Sequence, residues 1–390
     1  MMIRHLIALT LITGMSLGAQ TLNTSQFGNG LLNMVAADSS FAVKFAPRIQ
    51  LRSYMAATNA GPIDGGIQVR RARLEFDGWV LSPAIRFKFQ IGLSNLDQAG
   101  ANAYNRNSPN GLFDAVVQWR LPHGFQLWVG QTKLPGNLEQ LISSSSLQLL
   151  ERSIHSDYFT LDRDVGIQLH HQRLWGAKVV TRAKFALSQG EGRNVTEGNQ
   201  GGWQKTARFE FLPMGAFSKK GDFFQGDLAL ESSPKLMLSY TFNLNEQSVR
   251  TRGGKGSYMQ LSDGSMHMTD ISTHMVDLMV KYRGLSFMGE VARRRAVDPL
   301  AIEFDAGIAY TVSEGDGYSA QVGYMLPKDL ELAVRVSALR PIYGSAYTDQ
   351  TIGLSKYLAG HRLKLQTDVT LSSKSGAPAW LIRGGIELHF

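Results

Sequence analysis

The stretch Ile67-Gln-Val-Arg-Arg-Ala-Arg-Leu-Glu-Phe-Asp-Gly-Trp-Val-Leu-Ser-Pro-Ala-Ile-Arg-Phe-Lys-Phe-Gln-Ile-Gly-Leu-Ser94 decides the fold. When every second residue of its first half is taken together, one face is charged and the other is apolar. Arg70 is the exception on the apolar face. After Ser82-Pro83 the alternation resumes, with Arg86 and Lys88 opposite an aromatic face. Because strand side chains alternate between faces, this pattern predicts a β-hairpin. The charged face of its first strand consists of Arg71, Arg73, Glu75 and Asp77.

The length of both strands and their apolar, aromatic-rich face, broken only by Arg70 at its end, indicate a membrane hairpin. Strands of soluble sheets usually run about 5–6 residues. A tilted strand needs about 9–11 residues to cross a bilayer. The alternative is a hairpin from a soluble sandwich, with the apolar face turned to a core.

The N-terminal residues 1–19 have the pattern of a secretory signal peptide. Arg4 and His5 form a short basic head, an apolar run follows, and small residues end it at Gly18-Ala19. We expect residues 20–40 to form an N-terminal periplasmic segment and residues 41–390 a single barrel. No later run approaches the ~20 apolar residues of a membrane helix.

Composition excludes other classes. The chain of 390 residues has 40 Gly and no Cys, so it is not a disulfide scaffold. Its formal charge of +8 is compatible with small anions, anionic lipid or nucleic acid as partners. Export and the spread of the basic residues along strands argue against nucleic acid.

Alternating segments recur to the end of the chain and predict an all-β, transmembrane antiparallel β-barrel of sixteen strands. Short turns alternate with long links, which is the signature of an outer-membrane barrel with its turns in the periplasm. Residues 301–312 are strand-like, but an even strand number assigns them to an external excursion. The expected strands are 41–54, 67–81, 83–94, 111–121, 124–133, 163–173, 175–188, 203–212, 234–244, 273–283, 284–295, 317–326, 330–340, 347–358, 361–371 and 379–390.

Several motifs resemble the phosphate-selective porin O and P family. The resemblance covers roughly residues 40–390, including a last strand that ends in Phe390. Its most specific stretches are Val69-Arg-Arg-Ala-Arg-Leu-Glu-Phe-Asp-Gly78, Val129-Gly-Gln-Thr-Lys-Leu-Pro135 with Leu138-Glu139, Glu151-Arg-Ser153, Asp162-Arg-Asp-Val-Gly166, Pro234-Lys-Leu236 and Tyr324-Met-Leu-Pro327.

That resemblance implies a sixteen-stranded homotrimeric porin of the bacterial outer membrane, in contact with outer-membrane lipid. It also implies a long third loop folded into the lumen, which we assign to residues 134–162 as the constriction. A surface cap is the alternative for this loop. Its apolar runs 138–142 and 147–150 flank Ser143-Ser-Ser-Ser146 and are apolar enough to pack against a wall.

Basic residues outnumber acidic ones on the faces assigned to the lumen, which predicts a path for phosphate or other small anions. Fixed cations attract anions strongly in a narrow channel, and Arg offers paired donors to oxyanions. The alternative is that these charges only hydrate the pore, as in a general diffusion porin. The predicted anion path comprises Arg71, Arg73, Arg86, Lys88, Arg120, Lys133, Arg152, Arg182, Lys184, Arg208, Arg335 and Arg383.

Catalytic and metal motifs are weak, so we predict no enzyme, no cofactor and no metal. His170 and His171 are adjacent on a strand and point to opposite faces, so they cannot chelate one ion together. The pattern Gly-x-Ser-x-Gly occurs only at Gly14-Met-Ser-Leu-Gly18, within the predicted signal peptide, so it is not a nucleophile elbow of the mature chain. A barrel phospholipase and a secreted carbohydrate-binding β-protein remain as alternative classes.

Overall fold

The computed structural model describes residues 21–23, 27–58, 61–303, 307–374 and 377–390. The predicted signal peptide, residues 1–19, lies outside them. Sixteen long antiparallel strands among the described residues form a closed barrel, because the last strand pairs with the first through Ile386–Leu51 and neighbouring pairs. The all-β, sixteen-stranded transmembrane barrel predicted from the sequence is therefore confirmed.

The barrel strands follow one another around the wall in chain order. They are β1 Arg48–Thr58, β2 Asp64–Val80, β3 Ser82–Gly92, β4 Leu112–Arg120, β5 Phe125–Lys133, β6 Arg163–Trp175, β7 Val179–Ser188, β8 Gln204–Leu212, β9 Lys235–Ser248, β10 Thr269–Tyr282, β11 Leu285–Ala296, β12 Gly315–Leu326, β13 Leu330–Pro341, β14 Tyr347–Tyr357, β15 Leu363–Lys374 and β16 Ala377–His389.

Shorter elements extend the barrel sheet or lie in its loops. The short strands Thr21–Asn23, Leu32–Val35 and Phe41–Phe45 join the barrel sheet beside β2, and Leu300–Glu303 and Gly307–Thr311 form a separate sheet. The α-helices are Asn95–Gln98, Leu138–Leu141 and Ile154–Phe159, and the 3-10 turns are Ala103–Asn105, Pro122–Gly124, Ser144–Ser146 and Ser218–Phe223. No helix among the described residues has the length and apolarity to span a membrane.

Polar side chains point inward and apolar side chains point outward. In β9, Ser239 and Thr241 are buried, whereas Leu238 and Tyr240 are each 46% exposed. The same alternation continues around the wall, where Phe209 and many other large apolar side chains are exposed. Such an arrangement is stable only when lipid covers the outside.

The predicted strand 41–54 is interrupted at Ala46-Pro47. Phe41–Phe45 and β1 are separate strands that both pair with β2, which explains the 17-residue length of β2. Proline has no N–H for a ladder hydrogen bond, so the break falls there. The segment 301–312 was correctly left out of the barrel, because its described strands, Leu300–Glu303 and Gly307–Thr311, form a separate two-stranded sheet.

Arg70 was assigned to the apolar face by strict alternation, and this was wrong. Gln50 pairs with Arg71 whereas Leu51 pairs with Val69, so Arg70 is the extra residue of a β-bulge. A bulge re-aims side chains locally. Arg70 consequently points into the barrel, whereas Ile67 on the other side of the bulge is 84% exposed.

Residues 134–162 pack on the inward side chains of distant strands. The apolar Ile142, Leu147 and Leu150 are at most 1% exposed. The Asp368 carboxylate on β15 accepts a hydrogen bond from the Leu150 amide at 3.0 Å. Each of β10 to β15 contributes such a contact, through Asp277, Glu290, Gln321, Arg335, Ser355 and Lys364 in turn.

Residues 213–234, between β8 and β9, also pack inside, which the sequence did not predict. The Lys281 ammonium on β10 donates to the carbonyls of Gly221, Phe224 and Gly226 at 2.6–2.9 Å. The Gln225 amide donates to the carbonyl of Ser146 at 3.1 Å. Segments from opposite ends of the barrel therefore meet inside it.

Candidate functional site: a cavity against one side of the barrel wall

A cavity of about 1280 Å³ lies inside the barrel and is lined by β1 to β8, by Met237 of β9, and by the two inner segments and their flanking loops. None of the described residues of β10 to β16 lines it. Its described lining contains fourteen Arg and Lys and eight Asp and Glu. The cavity therefore lies to one side of the barrel interior, and its lining carries a net positive charge.

The largest excess of positive charge surrounds Glu151 from the inner segment 134–162. Its carboxylate accepts hydrogen bonds from Arg52 on β1 at 2.7 Å and from Arg70 and Arg71 on β2 at 2.5 and 2.8 Å. Three cations thus face one anion. The bulge at Arg70 makes this possible, because it lets two consecutive arginines point the same way.

These arginines keep Glu151 ionised. Burial of the Glu151 side chain opposes ionisation, but the charges of Arg71 and Arg70 outweigh it and hold the pKa of Glu151 below its ordinary value. The Glu151 carboxylate is consequently a permanent counter-ion of the three guanidinium groups at neutral pH.

In a second cluster of charged side chains, around Asp114, the positive and negative charges balance. The Asp114 carboxylate on β4 accepts from the Arg163 Nε at 3.1 Å and lies 3.4 Å from the Lys88 Nζ. Arg163 also contacts Asp162 at 3.4 Å. Burial would raise the pKa of Asp162, but the charges of Arg163 and Lys255 outweigh it and lower that pKa to about 2.

A third cluster of charged side chains is centred on β7 and β8, and its positive and negative charges balance as well. Glu210 pairs with Lys184 at 2.6 Å and with Arg182 at 3.2 Å, and Arg182 also pairs with Asp222 at 2.6 Å. Arg208 is fully buried behind them, between Glu210 and Asp277. These cations are largely neutralised by their own partners.

Lys133 and Arg152 hold the inner segment in place. The Lys133 ammonium donates to the carbonyls of Gln140, Leu141 and Ile142 at 2.6–3.3 Å, at the C-terminal end of helix Leu138–Leu141. Arg152 donates to the carbonyls of Glu139 and Ile142. Burial of the Arg152 guanidinium lowers its pKa to about 10. Both side chains line the cavity, but their hydrogen bonds go to the backbone.

The structure brings eight of the twelve predicted anion-path residues to the cavity. They are Arg71, Arg73, Lys88, Arg120, Lys133, Arg152, Arg182 and Lys184. Arg73 pairs there with Asp97 at 2.6 Å.

The other four lie elsewhere. Arg86 is 40% exposed and 4.0 Å from Asp77. Arg208 is fully buried, Arg335 contacts Glu139 beneath the inner segment, and Arg383 pairs with Asp368 at 2.6 Å.

Sequence reasoning missed six cavity cations for four reasons. Arg70 was placed on the wrong face by the bulge, and Arg52 was assigned to the lumen without being included in the path. Arg163 opens β6 directly after a loop, where the alternation is too short to assign a face. The remaining three lie in loops, to which periodicity does not apply: Arg193, Lys220 and Lys255.

The histidine pair gives no indication of a metal site. His170 shares a hydrogen bond with Gln168 at 3.0 Å, and His171 stacks on Phe125 with ring centroids 4.4 Å apart. Among the described residues there is no group of three or more His, Asp or Glu side chains that could hold a metal ion.

A comparison with sequence families identifies one match. Residues 41–217 match the family model described as phosphate-selective porin O and P. Residues 41–217 belong to that porin family. Within these residues the resemblance inferred from the sequence motifs is confirmed, and the chain is a protein of the bacterial outer membrane. No curated protein sequence matches the chain.

Solved porin structures share the fold at low sequence identity. The anion-selective porin from Comamonas acidovorans has a TM-score of 0.56 and 11% identity over 90% of this chain and 100% of its own. The trimer form of OmpT from Vibrio cholerae has a TM-score of 0.54 and 10% identity over 90% and 100%. The channel DcaP of Acinetobacter baumannii has a TM-score of 0.54 and 9% identity over 91% and 99%.

Proposed function

We propose that this outer-membrane porin forms a water-filled channel that prefers anions and passes phosphate or other small anions. The observation that carries the proposal is the lining of the cavity, with fourteen basic against eight acidic described residues. Fixed charges act strongly in a narrow pore because the surrounding protein has a low dielectric constant. A cation meets net repulsion there, and an anion meets net attraction.

The group around Glu151 is the strongest candidate for the selective point. Arg52, Arg70 and Arg71 outnumber the carboxylate by two charges. Arginine presents planar pairs of N–H donors that match the oxygens of phosphate or carboxylate. The balanced groups around Asp114 and Glu210 contribute hydration more than selection.

We further propose that residues 134–162 constrict this channel. The segment is anchored on β10 to β15 and leaves open space on the side of β1 to β8. Ser143 and Ser144 line that space, and the Ser144 hydroxyl accepts from Arg48 at 2.8 Å. The narrowest passage would then lie between the arginines of β1 and β2 and this segment.

Reversal potentials across a planar bilayer, in a potassium chloride gradient, test the anion preference. Replacing Arg52 and Arg70 by Gln leaves Glu151 with one partner and removes the excess charge. We expect the chloride-to-potassium permeability ratio to fall roughly two- to fivefold per charge, and more at low salt because screening is weaker.

The control is Lys205→Gln, which removes a cation from the outer face, where Lys205 is exposed and paired with Glu246. It should leave the permeability ratio unchanged. A wild-type channel without anion preference would refute the proposal and favour a general diffusion porin. Phosphate in place of chloride then reports whether phosphate itself is bound.

We also propose a homotrimer, following the trimer form recorded for OmpT of Vibrio cholerae. Native mass spectrometry of the detergent-extracted, unheated protein tests this assembly. A mass of three chains is expected, and a single-chain mass would contradict it.

A further inference from the structure

Six inward side chains on β4, β5 and β6 form a contiguous patch at the end of the cavity near the turn Pro122–Gly124. All six line the cavity. Direct strand partners connect them: Arg120 faces Gln126, which faces His170, and Gln118 faces Trp128. We call this the ring-and-amide patch; it consists of Gln118, Arg120, Gln126, Trp128, His170 and Gln172.

Two of the three amide oxygens of the patch, those of Gln126 and Gln172, are already used, so most of its remaining groups are donors. The Gln126 Oε1 accepts from the Trp128 indole at 3.2 Å, and the Gln172 Oε1 accepts from the Arg182 Nε at 2.9 Å. The amide N–H groups of both glutamines therefore stay available. Arg120 makes no hydrogen bond or ion pair with the described residues, and its guanidinium adds further donors.

The same patch presents an aromatic surface. The rings of Trp128 and His170 lie 4.4 Å apart at 42°, side by side on neighbouring strands. None of the six members is a carboxylate, in contrast to the arginines around Glu151. The patch therefore places unused hydrogen-bond donors beside a flat apolar surface, and none of its own members is a counter-ion for Arg120.

We propose that this patch binds organic carboxylates that have a ring as their apolar body. The carboxylate accepts from Arg120 and the Gln126 amide, and the ring packs on Trp128. A small inorganic oxyanion would use the donors and leave the ring surface unused. The inference rests on the proposed anion channel and narrows its substrate class.

Inhibition of chloride current in planar bilayers tests the proposal, with benzoate and acetate as probes at equal ionic strength. Both carry one carboxylate, and only benzoate has a ring. Wild-type protein should be inhibited by benzoate at a roughly three- to tenfold lower concentration than by acetate, the range expected for one aromatic contact.

Trp128→Ala should remove the difference between the two probes and leave acetate unchanged. Trp119→Ala is the matched control, because Trp119 lies on neighbouring β4 but points outward with 50% exposure. Trp128→Leu repeats the test if the alanine variant does not fold. Arg120→Gln should weaken both probes.

Equal inhibition by benzoate and acetate in the wild type, or an undiminished difference in both Trp128 variants, would overturn the patch as a binding site. This failure is distinguishable from failure of the channel proposal. The reversal potential of the same wild-type membranes in potassium chloride reports anion preference independently of either probe.

Discussion

The two halves of the barrel wall have the same outer face and opposite inner environments. Strands β1 to β8 line a charged cavity, whereas β10 to β15 are covered by residues 134–162 and 213–234. Inward polar side chains in the covered half satisfy backbone groups of those segments, as Lys364 does for the carbonyl of Leu147. The same polar alternation thus serves two purposes: it anchors segments in one half and contacts the aqueous cavity in the other.

The largest expected effect is on stability in the covered half. Asp368 is buried between the Arg383 guanidinium and the Leu150 amide. Asp368→Ala leaves a buried charge without its partner, so the free energy of unfolding should fall by about 3–5 kcal/mol. Urea titration of the protein folded in lipid vesicles measures it.

The matched change is Asp77→Ala in the open half of the wall, by which we mean the cavity-lining strands β1 to β8. Asp77 is 42% exposed and lies 4.0 Å from Arg86. An exposed pair of this kind contributes at most about 1 kcal/mol. Similar losses from both substitutions would abolish the distinction between the halves.

The outer face should show no such distinction. Phe89 on β3 and Val334 on β13 are exposed apolar residues in opposite halves. Replacing either by Arg should cost about 2–4 kcal/mol if it lies near the bilayer midplane. Urea titration under the same conditions compares them, with Gln90→Arg as the inward control. A loss confined to one half would indicate that the other does not face lipid.

Ion preference should depend on the open half alone. Glu151→Gln removes the only carboxylate among three arginines and should raise the chloride-to-potassium permeability ratio by roughly two- to fivefold. Glu331→Gln removes a buried carboxylate of β13, which accepts from Gln148 beneath the inner segment, and should leave the ratio unchanged. Reversal potentials measure both. An equal change in the two variants would mean that the covered half also faces the ion path.

The smallest expected effect is the pH dependence of the Glu151 contacts. The pKa of Glu151 is lowered in the folded protein, so its stabilising contribution is complete above the unfolded value of about 4.3 and declines as pH falls below it. The difference in unfolding free energy between wild type and Glu151→Gln should be constant from pH 8 to 5 and shrink below pH 4. A decline already between pH 8 and 6 would mean that the arginines do not lower this pKa.

Much of the fold was predictable because it depends on local periodicity. Alternation around Phe87 and Phe89 gave the strands and their lipid face, and the even strand number excluded residues 301–312 correctly. Six of the twelve predicted anion-path residues line the cavity for the same reason, and Lys133 and Arg152 line it from the edges of the loop 134–162. Arg70 stood out as a charge on the apolar face, but periodicity left open whether it lies near a membrane interface or marks a slip of register. The structure shows a single-residue bulge that reverses its face.

On the regular stretches of strand, the sequence by itself determined which side chains point inward, because that follows from neighbours two residues apart. Only the tertiary structure decided which of them meet water. Arg120 and Lys364 are both inward cations on regular strands, yet Arg120 lines the cavity and Lys364 is fully buried under Leu147. The difference depends on where residues 134–162 and 213–234 pack, and those contacts join residues up to 219 positions apart.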